Sequence, residues 1–464
     1  VDLPVLAVTG AGPLPVSKFP AGVSAHGYAA APLDELSLWN GLCKFQHGQC
    51  ALTAGECSFL LRSLDYWFPD LAANSQLATD DEVLADLDAH STKTAGYPWY
   101  VRGAPSKGQV RDKFGLAAIE DYYKKYTSIV GSTLKDELRL VGKDSRFFRP
   151  QDVSSYVEAT RLFKHQNNYL MAQLLTTPMF NCFVMPGQTL PSLFRILDSF
   201  SKDCYAADGS QWDANFPLII ACIIAAFRSS STTSERVERY YSMMYNGYTN
   251  VGGNVFNLIG QPSGHYNTSV DNSMGNMCLM ALHAYRLGWS MDDFVQRVRF
   301  YCCGDDLIWA DRSGMFYPEV LGATFASVGV YQEYEDLFPR RAIDLTFVGQ
   351  RIVLREFNGI PVWVTSLRTQ RTLASSCIRK RRTTDLDELA KLASLAQLCF
   401  GDEELYHIVH GVMHSFLTNC LQRRTLSLAD PEVLGLLRSV TERALLDAHL
   451  SWEAATFRLL RRCT

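Results

Sequence analysis

Tyr301-Cys302-Cys303-Gly304-Asp305-Asp306-Leu307-Ile308-Trp309 sets two adjacent carboxylates in a Gly-Asp-Asp turn, with short apolar stretches on either side. The pattern predicts two strands joined by a tight hairpin. Such a turn carries acidic side chains at its tip, where divalent cations can bind. Magnesium takes oxygen ligands, usually one or two carboxylates together with substrate phosphates. A pair of such ions can carry an in-line displacement at phosphorus. The tripeptide alone decides little, since average residue usage yields it by chance in roughly one chain in ten of this length.

What precedes it matters more. Upstream lies Asp208-Gly209-Ser210-Gln211-Trp212-Asp213, after the strand-like Asp203-Cys204-Tyr205-Ala206-Ala207. Between the two acidic sites runs Gly260-Gln261-Pro262-Ser263-Gly264-His265-Tyr266-Asn267-Thr268-Ser269-Val270-Asp271-Asn272. The order is Asp-x4-Asp, then Ser-Gly-x3-Thr-x3-Asn, then Gly-Asp-Asp. It resembles motifs A, B and C of the viral RNA-dependent RNA polymerases, with three independent patterns in that family's order and at about its spacing.

Nucleotidyl transfer needs a nucleophilic 3′-hydroxyl, a neutralised triphosphate and a stabilised pyrophosphate, and two magnesium ions serve all three needs. The resemblance implies that Asp208 and Asp305 bridge Mg²⁺, with Mn²⁺ able to substitute, and that Asp306 is auxiliary. Taken singly, each aspartate reads equally well as a helix cap or a turn residue. Asp213 and Asn272, assisted by Ser263 and Thr268, are implied to recognise the ribose 2′-hydroxyl, the group that separates RNA from DNA. Their structural alternatives are a cap for Asp213 and a packed helical amide for Asn272. Pro262-Ser263-Gly264 reads as a flexible loop whose glycine permits unusual backbone angles, with Thr268 opening the next helix. In the family this loop follows the template.

Lys135-Asp136-Glu137-Leu138-Arg139, followed by Lys143 and Arg146, resembles motif F, whose basic side chains hold the triphosphate. Lys135, Arg139 and Arg146 are the candidates. Guanidinium–phosphate geometry favours Arg146, and Lys143 and Arg149 are its rivals. Thr94-Ala95-Gly96-Tyr97-Pro98 resembles motif G at the template entrance, which makes Thr94, Gly96, Pro98 and Gly264 candidate template contacts. Phe347-Val348-Gly349-Gln350-Arg351 sits where the primer-supporting motif E hairpin belongs, with Arg351 as its RNA-facing residue. Motif D departs from the pattern. Many relatives place a lysine there as general acid, and none occurs here between Gly304 and Arg379. Arg340 or Arg341 is placed to stand in, but arginine is a poor proton donor.

The bulk numbers set bounds. A chain of 464 residues with 47% hydrophobic and 20% charged residues is of ordinary globular composition, neither disordered nor fibrous. A net charge of −4 excludes a blanket polycation, so any nucleic-acid contact needs its positive charge gathered in a channel. The 13 cysteines are odd in number and scattered, which suits a reducing compartment. Cys43, His47, Cys50 and Cys57 fit no common zinc spacing. Phe216 to Phe227, with Pro217 near its start, reads as a buried helix too short to span a bilayer. Asp80 to His90 and Arg111 to Ile129 read as helices. His407, His410 and His414 share a helical face, and Arg379-Lys380-Arg381-Arg382 reads as a phosphate-contacting patch. From Asp385 onward the leucine spacing predicts amphipathic helices.

The resemblance covers about Thr94 to Arg351 and points to the picornavirus-like supergroup, on its potyvirus–astrovirus side. It implies an α+β right hand with an antiparallel palm sheet and with closed fingers–thumb encirclement. Fingers would take 1–190 and 244–260, palm 191–243 and 261–364, and thumb 365–464. The extended N-terminal segment would bridge fingers to thumb. The implied partners are template and product RNA, ribonucleoside triphosphates, a protein primer and other viral replication proteins. The implied location is the host cytoplasm, in membrane-associated replication complexes, without a transmembrane segment. Two further classes share the pattern in part: a reverse transcriptase and an inactive RNA-binding palm scaffold.

Overall fold

The computed structural model describes residues 28–30, 34–45, 50–135, 138–140, 145–173, 175–180, 186–229, 233–251, 253–357, 360–367, 372, 375, 384–399 and 402–437. His47, Lys143, Arg379 to Arg382 and most of the N-terminal segment lie outside them.

Four strands make the central sheet: β1 (Cys204–Ser210), β2 (Val298–Cys303), β3 (Asp306–Asp311) and β4 (Tyr331–Tyr334). They lie in the order β4-β1-β3-β2, and every pairing is antiparallel. The Cys303–Asp306 pair closes a two-residue loop, Gly304-Asp305. Gly304 has φ 66°, the conformation a type II′ hairpin turn asks of its first loop residue. A Cβ there would meet nothing within 4 Å, so backbone angle rather than space calls for glycine. Leu307 pairs with Ala207, which brings the turn over the end of β1 that carries Asp208.

Successive strand residues face opposite sides, and both sides of this sheet are covered. Tyr205, Ala207, Cys302, Leu307 and Trp309 join one core, while Cys204, Ala206, Tyr301, Cys303, Ile308 and Ala310 join another. The first core draws on α1 (Ala54–Trp67), α2 (Val153–Ala172), α4 (Leu218–Arg228), α5 (Ser234–Tyr245) and α6 (Thr268–Arg286). The second draws on α3 (Pro186–Phe200) through Leu190, Leu193, Phe194 and Leu197. Helix α6 is buried continuously from Val270 to Ala284, so it runs through the interior rather than along a surface.

Pro217 is the N-cap of α4. The stretch expected as one helix from Arg111 is two, Lys107–Phe114 and Leu116–Lys125, separated by Gly115 at φ 77°. Gly115, at a positive φ that side chains rarely adopt, ends one helix and starts the next. Ile129–Val130 is a strand, paired in parallel with Tyr248–Thr249. The helix Asp80–Ala89 starts at a Thr79/Glu82 capping box, as its acidic first turn suggests.

Strands β5 (Gln350–Phe357) and β6 (Ile360–Leu367) form a separate antiparallel hairpin. Beyond it α7 (Asp385–Leu398) and α8 (Glu403–Gln422) pack through their own cluster, which includes Leu389, Leu392, Val409, Met413 and Leu417. Helices combined with several small, mainly antiparallel sheets make this an α+β protein. Among the described residues no helix is long and apolar enough to cross a membrane.

Candidate active site

The carboxylates gather at the turn end of the sheet. Asp208 is reached by water but enclosed by protein atoms. Burial, then Asp305, then Glu333 push its carboxyl up to about 6, against the Gly209 backbone and Arg146. Glu333 is its cross-strand partner on β4. Asp305 is also raised, by burial and then by Asp213. Asp213 sits in the short helix Trp212–Asn215, entered through Gln211 at φ 49°. Burial raises its carboxyl, while Lys135, a Ser263 hydrogen bond, Arg146 and Arg149 draw it down. Asp306 is the first residue of β3, half-buried beside the turn.

The basic side chains arrive on a ribbon. Thr133–Leu134 pairs with Phe147–Phe148, and the Lys135 N–H donates to the Arg146 carbonyl at 2.9 Å. The two residues thus stand side by side, and the charges of both reach Asp213 and Asp305. Arg139 lies on a different ribbon, paired with Ala29. Arg149 belongs to the interior. Its guanidinium is wholly buried over Phe45, and it donates to Thr249 Oγ1 at 3.1 Å and to the Gly260 carbonyl at 3.3 Å. Burial lowers its pKa to about 9.

The loop before α6 is anchored at both ends. The Gln261 N–H donates to the Asp213 carbonyl at 2.8 Å. Gly264 donates to the Arg149 carbonyl at 3.2 Å and accepts from Gln151 N–H at 3.4 Å. A Cβ on Gly264 would come within 2.7 Å of both Phe148 and Pro150. Its glycine therefore serves close approach, not the unusual backbone angle expected from the sequence. Thr268 opens α6, and its hydroxyl donates to the His265 carbonyl at 2.8 Å. Asn272 is 5% exposed, and its Oδ1 has no hydrogen-bond partner among the described residues.

Directly after Asn272, α6 meets the acidic hairpin. The Gly304 N–H donates to Ser273 Oγ at 2.8 Å, and the Gly304 carbonyl accepts from Asn276 Nδ2 at 2.9 Å. Neither Ser273 nor Asn276 belongs to the sequence motif, although two polar residues amid Met274, Gly275, Met277 and Cys278 are a visible signal. Glu333 carries no motif signal, because only the β4 register places it.

Other expected positions lie apart. Thr94 bridges to Ser106, and Gly96 has φ 72°, where an added Cβ would come within 2.7 Å of the Asp152 Cα. Pro98 is buried beside them. Phe347 and Gln350 close a tight turn whose loop residues, Val348 and Gly349, both have positive φ. Arg351 follows, exposed on β5. Arg340 pairs its backbone with Cys204, at the far end of β1 from Asp208. Its side chain bonds Asp336, and Arg341 bonds Asp198. The ladder therefore sets both arginines away from the carboxylates. Among the described residues no group of three or more His, Cys, Asp or Glu forms a ready metal cage. A two-carboxylate arrangement completed by phosphates needs none.

Comparison with known proteins places the chain among relatives. The chain is 27% identical over 334 residues to the genome polyprotein of Salivirus A, a match covering 68% of this chain and 14% of that polyprotein. It is 27% identical over 341 residues to the genome polyprotein of Human klassevirus 1, again covering 68% and 14%. It is 26% identical over 283 residues to that of Soybean mosaic virus (strain N), covering 56% and 9%. The chain thus spans a small part of these relatives, which include both picornavirus-like and potyvirus polyproteins. The family model for viral RNA-dependent RNA polymerase matches residues 106–375, more than half of the chain, and the chain belongs to that family.

Proposed function

We propose that this chain copies an RNA template from ribonucleoside triphosphates by two-metal nucleotidyl transfer, replicating a viral genome. The observation that carries the reading is the convergence of Asp208, Asp305 and Asp213 within reach of the Lys135 and Arg146 charges. Asp208 and Asp305 offer hard oxygen donors whose ionised forms are disfavoured by burial and by like charge, a setting that a divalent cation relieves. They would hold Mg²⁺, or Mn²⁺ in its place, with Asp306 auxiliary. When bound, the ions supply activation of the 3′-hydroxyl and neutralisation of the triphosphate.

The remaining steps belong to side chains. Lys135 and Arg146 grip the incoming triphosphate, the guanidinium in bidentate fashion, and Arg139 lines the same entry. Asp213, steadied by Ser263, and the open Oδ1 of Asn272 meet the ribose hydroxyls. A deoxyribose leaves those polar groups unpaired, which is how the site rejects it. Thr268 keeps the loop in shape. Thr94, Gly96, Pro98 and Gly264 border the template, and Arg351 the primer. The chain is read as a right hand closed between fingers (1–190, 244–260) and thumb (365–464), with the palm (191–243, 261–364) between them. Its partners are RNA, a protein primer and other replication proteins, in membrane-associated complexes of the host cytoplasm.

The test is extension by the purified chain on a homopolymeric RNA, with and without primer, in Mg²⁺ or Mn²⁺. Template- and metal-dependent incorporation of ribonucleotides is expected. Preference for deoxyribonucleotides would assign a reverse transcriptase. RNA binding without synthesis would assign a scaffold.

A further inference from the structure

We propose that Ser273 and Asn276 are positioning residues that aim the Asp305 carboxylate, an inference that rests on the reading of Asp305 as a metal ligand. In a two-residue hairpin loop the peptide groups of the first loop residue point away from the ladder and ordinarily meet water. Here Gly304 is buried, and both its groups are bound by α6: the N–H by Ser273 Oγ at 2.8 Å, the carbonyl by Asn276 Nδ2 at 2.9 Å. Residues three apart on a helix stand one above the other, so the pair forms a two-pronged clamp. The Gly304 carbonyl lies in the peptide plane that leads into Asp305. Fixing that plane fixes the Asp305 N–Cα bond, the base from which its side chain leaves the backbone.

Packing does not do this work. Among the described residues outside the turn, nothing lies within 4 Å of where a Gly304 Cβ would sit, so no packing contact holds the tip on that side. The clamp itself is anchored. Cys302 Sγ donates toward the Ser273 carbonyl at 3.3 Å, and Arg228 holds the adjoining Asp271 at 2.8 Å. Asn272 is the residue just before the clamp. The sugar contact and the acidic turn are therefore mounted on one rigid helix.

The test is electron paramagnetic resonance titration of free Mn²⁺ with the full chain, alongside primer extension over a range of Mg²⁺ concentrations. Ser273→Ala and Asn276→Ala are each expected to weaken Mn²⁺ binding roughly fivefold, the scale of one lost hydrogen bond. The Mg²⁺ concentration for half-maximal extension should rise by a similar factor. The nucleotide KM at saturating Mg²⁺ should not move, which a general loosening of the fold would not reproduce. Ser273→Thr keeps the hydroxyl and should restore Mn²⁺ binding. Asn276→Leu keeps the volume without the donor and serves if the alanine variant fails to fold. Unchanged Mn²⁺ binding by folded Ser273→Ala and Asn276→Leu overturns the proposal while leaving the metal reading intact. Normal Mn²⁺ binding by Asp305→Ala overturns that reading itself.

Discussion

Two sets of enclosed acids lie close together around α6, one sealed in the interior and one reached by water, and they are built in opposite ways. Asp271 is wholly buried, and every oxygen is answered. Arg228 donates twice to Oδ1, at 3.1 and 2.8 Å, and Tyr241 and Tyr245 donate to Oδ2 at 2.8 and 3.0 Å. Burial pushes its carboxyl upward, and every other contribution pulls against it. Asp208 feels the same push, but the next two contributions, Asp305 and Glu333, add to it. One assembly is electrically finished by the protein. The other is left with surplus negative charge, which marks a place for a ligand rather than for structure.

That contrast is easiest to break at the acidic turn. Asp305→Ala should cut extension by roughly a thousandfold, the scale of several kcal/mol of lost transition-state stabilisation, with folding and RNA binding retained. Near-normal extension would place Asp305 among the structural acids. Asp271→Ala should do the reverse. It strands the Arg228 charge in the interior, and urea unfolding should show a loss of about 3–5 kcal/mol. A marginal loss would mean that the pair does little for stability. Asn272→Ala sits between the two assemblies. Ribose-to-deoxyribose preference should fall roughly tenfold, with little change in melting, because its Oδ1 bonds nothing among the described residues. Unaltered sugar preference would return Asn272 to the packing residues.

The smallest effect is the sharpest in sign. Asp208 has a folded pKa of about 6 against an ordinary 3.8, so its ionisation opposes folding. The stability present below the ordinary value is lost as pH rises through 6. Asp208→Asn should therefore melt above the metal-free parent at pH 7.5, with the gain fading as pH falls below about 6. Added Mg²⁺ should raise the parent's melting temperature more than the variant's. A variant that melts below the parent at pH 7.5 would contradict the assigned crowding.

What could be read from the sequence was local. The Gly-Asp-Asp turn and its flanking strands are a short-range pattern, and so are the Thr79 capping box and the leucine spacing of α7. Asp213, Ser263, Lys135 and Arg146 were nameable because motif spacing carries them, and the structure brings those four together with Asp208 and Asp305. Roles set by tertiary burial were not readable. Arg149 stands three residues beyond Arg146 on the same ribbon edge, yet it points into the core and braces Gly260. Gly264 looks like a hinge in sequence and is a tight packing point. Arg340 occupies about the expected sequence position, but the β-ladder pairs it with the wrong end of β1. The break at Gly115 was present in the sequence as a glycine inside an apparently continuous helical pattern.

The C-terminal helices have a consequence of their own. Among the described residues their apolar cluster shares no buried residue with the two cores that flank the sheet, and Leu367 at the end of β6 is among the partly buried residues packed against it. Heating should thus dissolve α7 and α8 as a separate cooperative unit, and a calorimetric scan should return a van't Hoff enthalpy smaller than the measured heat.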